Sequence, residues 1–120
     1  MARFDHVDST IGIVRAPINA NIAEADWDTV IGVGINATGK AVKGAGQTGV
    51  IGVAVPGRTV YRAGQVMDIM QKGDIVDVAG LAAGTKYYVV PATGVLTNTA
   101  TDNVYVGYTV EADRLVVAGF

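Results

Sequence analysis

Val104-Tyr105-Val106-Gly107-Tyr108-Thr109-Val110 (VYVGYTV) is the stretch whose reading decides the fold class. Its β-branched and aromatic residues suit a pleated strand, and a glycine in its middle disfavours a helix. Strict alternation puts Val104, Val106, Tyr108 and Val110 on one face and Tyr105, Gly107, Thr109 and Glu111 on the other. The first face is predicted to look into the core.

Just beyond it, residues 114–117 (RLVV) read as a further strand. Working back towards the N-terminus, similar Val/Ile-rich runs recur about every 8 to 12 residues, broken by Gly, Pro, Asn or Asp. Residues 30–35, 50–55, 59–62, 65–71, 75–78, 86–90, 104–110 and 114–117 are predicted as strands. The connectors Asn36-Ala37-Thr38-Gly39, Pro56-Gly57, Lys72-Gly73-Asp74 and Ala92-Thr93-Gly94 supply turn residues between them. This pattern is that of an all-β antiparallel sandwich or small barrel. One weak echo, VIGVGI at 30–35 and VIGVAV at 50–55, sets glycines inside two strands, where backbones approach closely or bulge.

Composition agrees with that class. The chain has 120 residues, enough for one domain; half of them are apolar and 17% charged. Two Phe and one Trp leave the core to Val, Ile and Ala. With no cysteine, neither a disulfide framework nor a thiolate metal site is available. A formal net charge of -2 without a basic run argues against nucleic acid as a partner. No apolar stretch reaches the ~18 residues of a membrane-spanning helix, and MARFDHVDST lacks the apolar centre of a signal peptide. The expectation is a soluble chain that neither meets a membrane nor leaves by the general secretory route.

Residues 1–28 lack a sustained period of either kind and read as an extended N-terminal arm, with the folded domain over 29–120. Within the arm, residues 19–26 (NANIAEAD) are compatible with one or two helical turns. The arm's unpatterned apolar residues Phe4, Ile11, Ile13, Val14, Pro17, Ile18 and Ile22 are predicted to order by lying on a partner. Trp27 stands at the junction of arm and body and is counted with the interface residues; it either plugs one end of the barrel or anchors the arm, or it stacks on a ligand, and the scarcity of other aromatics favours the plug or anchor. Phe120 ends an apolar C-terminal run suited to association with another copy.

Motifs that look like chemistry fail on context. Gly34-Ile35-Asn36-Ala37-Thr38-Gly39-Lys40 fits GxxxxGK, but Ala41 stands where Ser or Thr must hold magnesium, and the glycine-rich AVKGAGQTG that follows is no helix. Gly44-Ala45-Gly46-Gln47-Thr48-Gly49 spells GxGxxG ahead of a β-like run, whereas a dinucleotide fold needs a helix there. Ser9 and His6 are each unique in the chain and lie on the arm, away from any preorganised site. Glu24, Asp26, Asp28 and Asp68, Asp74, Asp77 lack the order of a calcium loop and read as solvated turns and strand edges. Asn36-Ala37-Thr38 is formally a glycosylation acceptor without a secretory signal. The expectation is a protein that is not an enzyme, with no cofactor and no metal.

Four longer phrases carry a family resemblance: GKAVKGAGQTGVIGVA (39–54), AGQVMDIMQKGDIVDVAGLAAGTKYYV (63–89), TGVLT (93–97) and VYVGYTVEADRLVV (104–117). With these, the body resembles the small capsid decoration (cement, head-stabilising) proteins encoded beside the major capsid gene of many tailed bacteriophages, especially those of actinobacteria. Gly64, Gly73, Gly80, Gly84, Gly94 and Gly107 fall on that family's rhythm of reversals. The resemblance implies a small antiparallel β-barrel or β-tulip-like domain that binds the major capsid protein on the outer surface of the expanded capsid. It also implies a homotrimer at threefold or quasi-threefold sites that stabilises the shell against internal DNA pressure. Such a protein is a virion component made in the bacterial cytoplasm. Similar phrases recur in phage tail and fibre modules, so the alternative is a carbohydrate- or receptor-binding β module in which Trp27 or a tyrosine, such as one of Tyr87 and Tyr88, stacks on sugar.

Overall fold

The computed structural model describes residues 14–120. Ten strands follow in chain order: β1 Val14–Pro17, β2 Ile31–Ile35, β3 Ala41–Lys43, β4 Val50–Ala54, β5 Val66–Ile69, β6 Ile75–Asp77, β7 Lys86–Val89, β8 Leu96–Thr97, β9 Val104–Glu111 and β10 Arg114–Val117. They form three antiparallel sheets, ordered β1-β5, β3-β2-β4 and β6-β10-β9-β7-β8. Single bridges stitch the sheets together, Ile18 to Ala41, Val53 to Met70 and Ile31 to Val95. The all-β antiparallel class is as expected, but bridges of one residue pair are not continuous ladders, and the sheets do not close into a barrel.

The two echoing phrases become neighbours: β2 and β4 pair antiparallel with Gly32 opposite Val53 and Val33 opposite Gly52. A Cβ on Gly52 would sit 2.6 Å from both Ile69 Cγ2 and the Met70 carbonyl oxygen, so glycine is what lets β5 approach β4.

The predicted strand at 59–62 is instead a bend. Gln65 accounts for it: its side-chain oxygen accepts from the Tyr61 and Arg62 N–H groups at 3.0 and 2.8 Å, and its amide donates to the Thr59 carbonyl at 2.9 Å. A backbone whose donors are satisfied by one local side chain has no need of a ladder. The helical turns expected over 19–26 reduce to one 3-10 turn, Glu24–Asp26. Upstream, the Asn19 and Ile22 N–H groups donate to the Ala41 and Tyr61 carbonyls, which ties that backbone to other elements.

Strand β9 departs from plain alternation at two bulges. Val106 is an extra residue against β7, because Tyr87 faces Gly107 while Tyr88 faces Tyr105; Val110 is an extra residue against β10. Each bulge resets which face the following residues occupy. Val106 and Thr109 are therefore buried, while Tyr108 and Val110, expected inside, are 43% and 59% exposed.

Two cores result. Val30, Val53, Val76, Val89, Val106, Leu115 and Val117, with Tyr87, fill the space behind the five-stranded sheet. Ala16, Ile18, Ile31, Val33, Ala41, Ala54, Met67 and Ile69 fill the second, between the two smaller sheets. Burial of each larger aliphatic side chain contributes about 1.5–3 kcal/mol. Tyr87 enters its core without leaving a polar atom unmatched, since its hydroxyl accepts the Ala82 N–H at 2.8 Å.

Candidate functional site

The residues that mimic catalytic motifs are used up by local structure. Asn36 to Gly39 is the turn joining β2 to β3, closed by Gly39 N–H to the Asn36 carbonyl and Asn36 N–H to the Lys40 carbonyl. The Asn36 side-chain oxygen accepts from the Thr38 and Lys40 N–H groups, both at 3.0 Å, an Asx turn with no helix behind it. In the following glycine loop the Gly44, Ala45, Gln47 and Thr48 N–H groups donate to the Gly32, Pro91 and Ile35 carbonyls. Those amides face backbone oxygens and cannot also cradle a phosphate. His6 and Ser9 lie outside the described residues.

The carboxylates are dispersed among separate partners. Asp26 pairs with Lys43 at 2.8 Å, Asp68 with Arg15 at 2.8 Å, Asp28 with Arg58 at 3.4 Å and Asp77 with Arg114 at 3.8 Å. Asp74 accepts the Gln71 N–H at 2.9 Å. Among the described residues no three His, Cys, Asp or Glu side chains converge.

Two clefts exist. The larger, about 290 Å³, opens between β2 and the five-stranded sheet and is walled by Val30, Ile31, Val78, Leu81, Val95 and Leu96, with the Asp26–Lys43 pair at its edge. That ion pair and the Thr29 hydroxyl, which donates to the Asp26 carbonyl, are the polar side chains of an otherwise largely apolar recess. The smaller, about 140 Å³, is lined by Ile18, Ile22, Ala41 and Met67 beside Asn19 and Asn21.

Of the expected interface residues, Phe4, Ile11 and Ile13 lie outside the described residues. Val14 begins β1, whose pairing runs Val14 to Ile69, Arg15 to Asp68, Ala16 to Met67 and Pro17 to Val66. Ile18 is 3% exposed within the second core, and Val14 and Ile22 are partly buried against it. From Val14 onward, then, the segment read as an arm finds its contacts on its own chain, and Ile18 presents nothing to a partner. Pro17 is half-buried at the end of the same strand.

Trp27 is half-buried and fully engaged. Its indole N–H donates to the Ile22 carbonyl at 2.9 Å, its carbonyl accepts the Gly57 N–H at 2.6 Å, and its ring lies 4.3 Å from that of Tyr61. The Arg62 guanidinium sits 5.7 Å above the Tyr61 ring. This is the anchor arrangement: Trp27 fastens residues 22–28 to the loop before β5. Phe120 packs against the first core, and its carbonyl accepts the Lys72 N–H at 2.8 Å.

What sequence reading missed is the outer face of the five-stranded sheet. Ile75, Val116, Tyr108 and Lys86 lie directly opposite one another on β6, β10, β9 and β7 and so form one row across it. Ile75 is 57% and Tyr108 43% exposed, with Val110 alongside. On one side of this row Tyr88 and Tyr105 pack with ring centroids 5.5 Å apart; on the other, Arg114 lies between Asp77 and Glu111. The missed signal was the doubled bulge of β9, which the plain alternation of VYVGYTV conceals.

No protein-family description and no curated protein matches the chain. Among solved structures, it is similar to a chain from Mycobacterium phage Patience, with a TM-score of 0.74 and 20% sequence identity, covering 97% of this chain and 95% of that one. At that identity the likeness shows a shared fold, and it extends over essentially the whole length of both chains.

Proposed function

We propose that this chain is a structural protein of a tailed-phage virion, a capsid decoration protein that binds the major capsid protein on the outer surface of the expanded shell. In this reading it sits as a trimer at threefold or quasi-threefold sites and holds neighbouring capsid subunits together against DNA pressure. The observation that carries the proposal is the end-to-end fold likeness to a protein of phage origin, at a TM-score of 0.74. The sequence rhythm adds to it: Gly64, Gly73, Gly80, Gly84 and Gly94 all have positive φ at reversals, and a Cβ on Gly107 would collide with the Val116 carbonyl where β9 meets β10. Those glycines are demanded by backbone geometry, which is consistent with the rhythm of reversals on which the resemblance rests.

The chemistry fits a passive role. An apolar recess, dispersed ion pairs and a partly apolar sheet face suit association between proteins, and the Trp27 indole N–H is already given to the Ile22 carbonyl while its ring packs on Tyr61.

Mixing the purified full-length chain with expanded shells that lack it tests the proposal. Saturable binding, with density on the outer surface in groups of three, supports it. A folded chain that leaves the shells bare, or that binds tail fibres or a glycan array instead, overturns it.

A further inference from the structure

The row Ile75–Val116–Tyr108–Lys86 is apolar through its middle and unlike at its ends. Lys86 closes it on β7; one same-face position along the strands, Asp77 on β6 and Glu111 on β9 flank Arg114 on β10, and the single guanidinium leaves one negative charge over. A surface with that order is complementary to itself when turned over. We propose that the outer face of the five-stranded sheet is a homotypic contact, taking the same face of a second copy of this chain about a two-fold axis that runs along the strands between β9 and β10.

The symmetry follows from the register. Rotation about that axis lays β10 over the partner's β9 and β6 over the partner's β7. Val116 then meets Tyr108 across the interface, and Lys86 meets Ile75, with Asp77 one same-face position further along β6 and within reach of the long lysine side chain. Two aligned sheets about 10 Å apart are an ordinary sandwich packing. A centred axis buries the apolar middle of the row on both copies, sets each Arg114 over the other copy's Glu111, and leaves Lys86 near the other copy's Asp77.

The contact is small. Three strand spacings of about 4.8 Å make the row about 14 Å wide, and two or three residues per strand give roughly 300 Å² per copy, well under the ~600 Å² per partner of stable dimers. Pairing is therefore weak between free molecules and strong where copies are already held side by side, because a tethered partner has a high effective concentration. The pairing itself does not rest on the capsid reading. If that reading holds, two-fold contacts between copies of neighbouring trimers would link them into a network over the shell.

The absence of cysteine makes the test clean. Val116→Cys and Tyr108→Cys are made separately, one with a mass tag, then mixed at about 100 µM and treated with a thiol-reactive crosslinker of about 8 Å span, shorter than the sheet spacing of about 10 Å because side chains fill part of that gap. The expected result is a mixed covalent dimer at least tenfold more abundant than when either variant is mixed with Asp102→Cys, an exposed loop control. Lys86→Glu should abolish the excess, and Lys86→Glu combined with Asp77→Lys should restore it. No excess over the control, or an excess indifferent to Lys86→Glu, overturns the proposal. A chain that pairs in this way but leaves shells bare overturns the capsid reading alone.

Discussion

Thr109→Val is the substitution that probes the β9 bulges most sharply. Thr109 is 2% exposed, and its hydroxyl donates to the Ala82 carbonyl and accepts the Thr85 N–H at 3.0 Å, pinning the loop before β7 to β9. Valine keeps the shape and removes both bonds. Each lost bond costs about 1–1.5 kcal/mol here, because Ala82 is exposed and Thr85 half-buried, so water recovers part of the loss. The extra buried methyl group returns about 0.8 kcal/mol. The net expectation is destabilisation by about 1.5 kcal/mol, or a Tm lowered by about 6 °C for a domain of this size. Urea unfolding measures the first, with the midpoint moved and the slope unchanged. Amide exchange gives the residue-specific check: the Thr85 N–H, bonded to the Thr109 hydroxyl, should exchange at least tenfold faster in Thr109→Val and keep its protection in Thr109→Ser. An unchanged midpoint together with unchanged Thr85 exchange would refute both the inward placement of Thr109 and the bulges that put it there.

Three further outcomes follow from the same contacts. Leu115→Ala empties a fully buried site in the first core and should cost about 2–5 kcal/mol by urea unfolding. Asp68→Asn removes an ion pair to Arg15 whose side chains are 62% and 50% exposed, so stability should move by less than about 0.5 kcal/mol. Deleting residues 2–13 leaves all ten strands in place, and it should weaken binding to expanded shells at least tenfold with little change in Tm if Phe4, Ile11 and Ile13 serve the interface; undiminished affinity would assign binding to the body. Cutting as far as residue 25 is a different experiment, because it removes β1 and the buried Ala16 and Ile18.

Much of the sheet content was legible because turn residues punctuate it. Residues 114–117 were read with the same limits the strand has, and 30–35, 50–55 and 86–90 within a residue. Three short strands escaped. Ala41–Lys43 sits in a glycine-rich segment, Leu96–Thr97 has two residues, and Val14–Pro17 carries Arg and Pro and becomes a strand through its pairing with β5. Such strands are made by tertiary partners, which local pattern does not encode. The anchor role of Trp27 was readable from the shortage of aromatics. The exposed sheet face was not, since a bulge moves side chains across a sheet without altering the composition of the strand.

The central claim is that this β domain coats a phage shell from outside. Cryo-electron microscopy of expanded, undecorated shells incubated with the full-length chain tests it directly. The expected result is added density on the outer surface at threefold and quasi-threefold positions, into which residues 14–120 fit as rigid bodies. Shells with no added density at saturating, folded protein would contradict it.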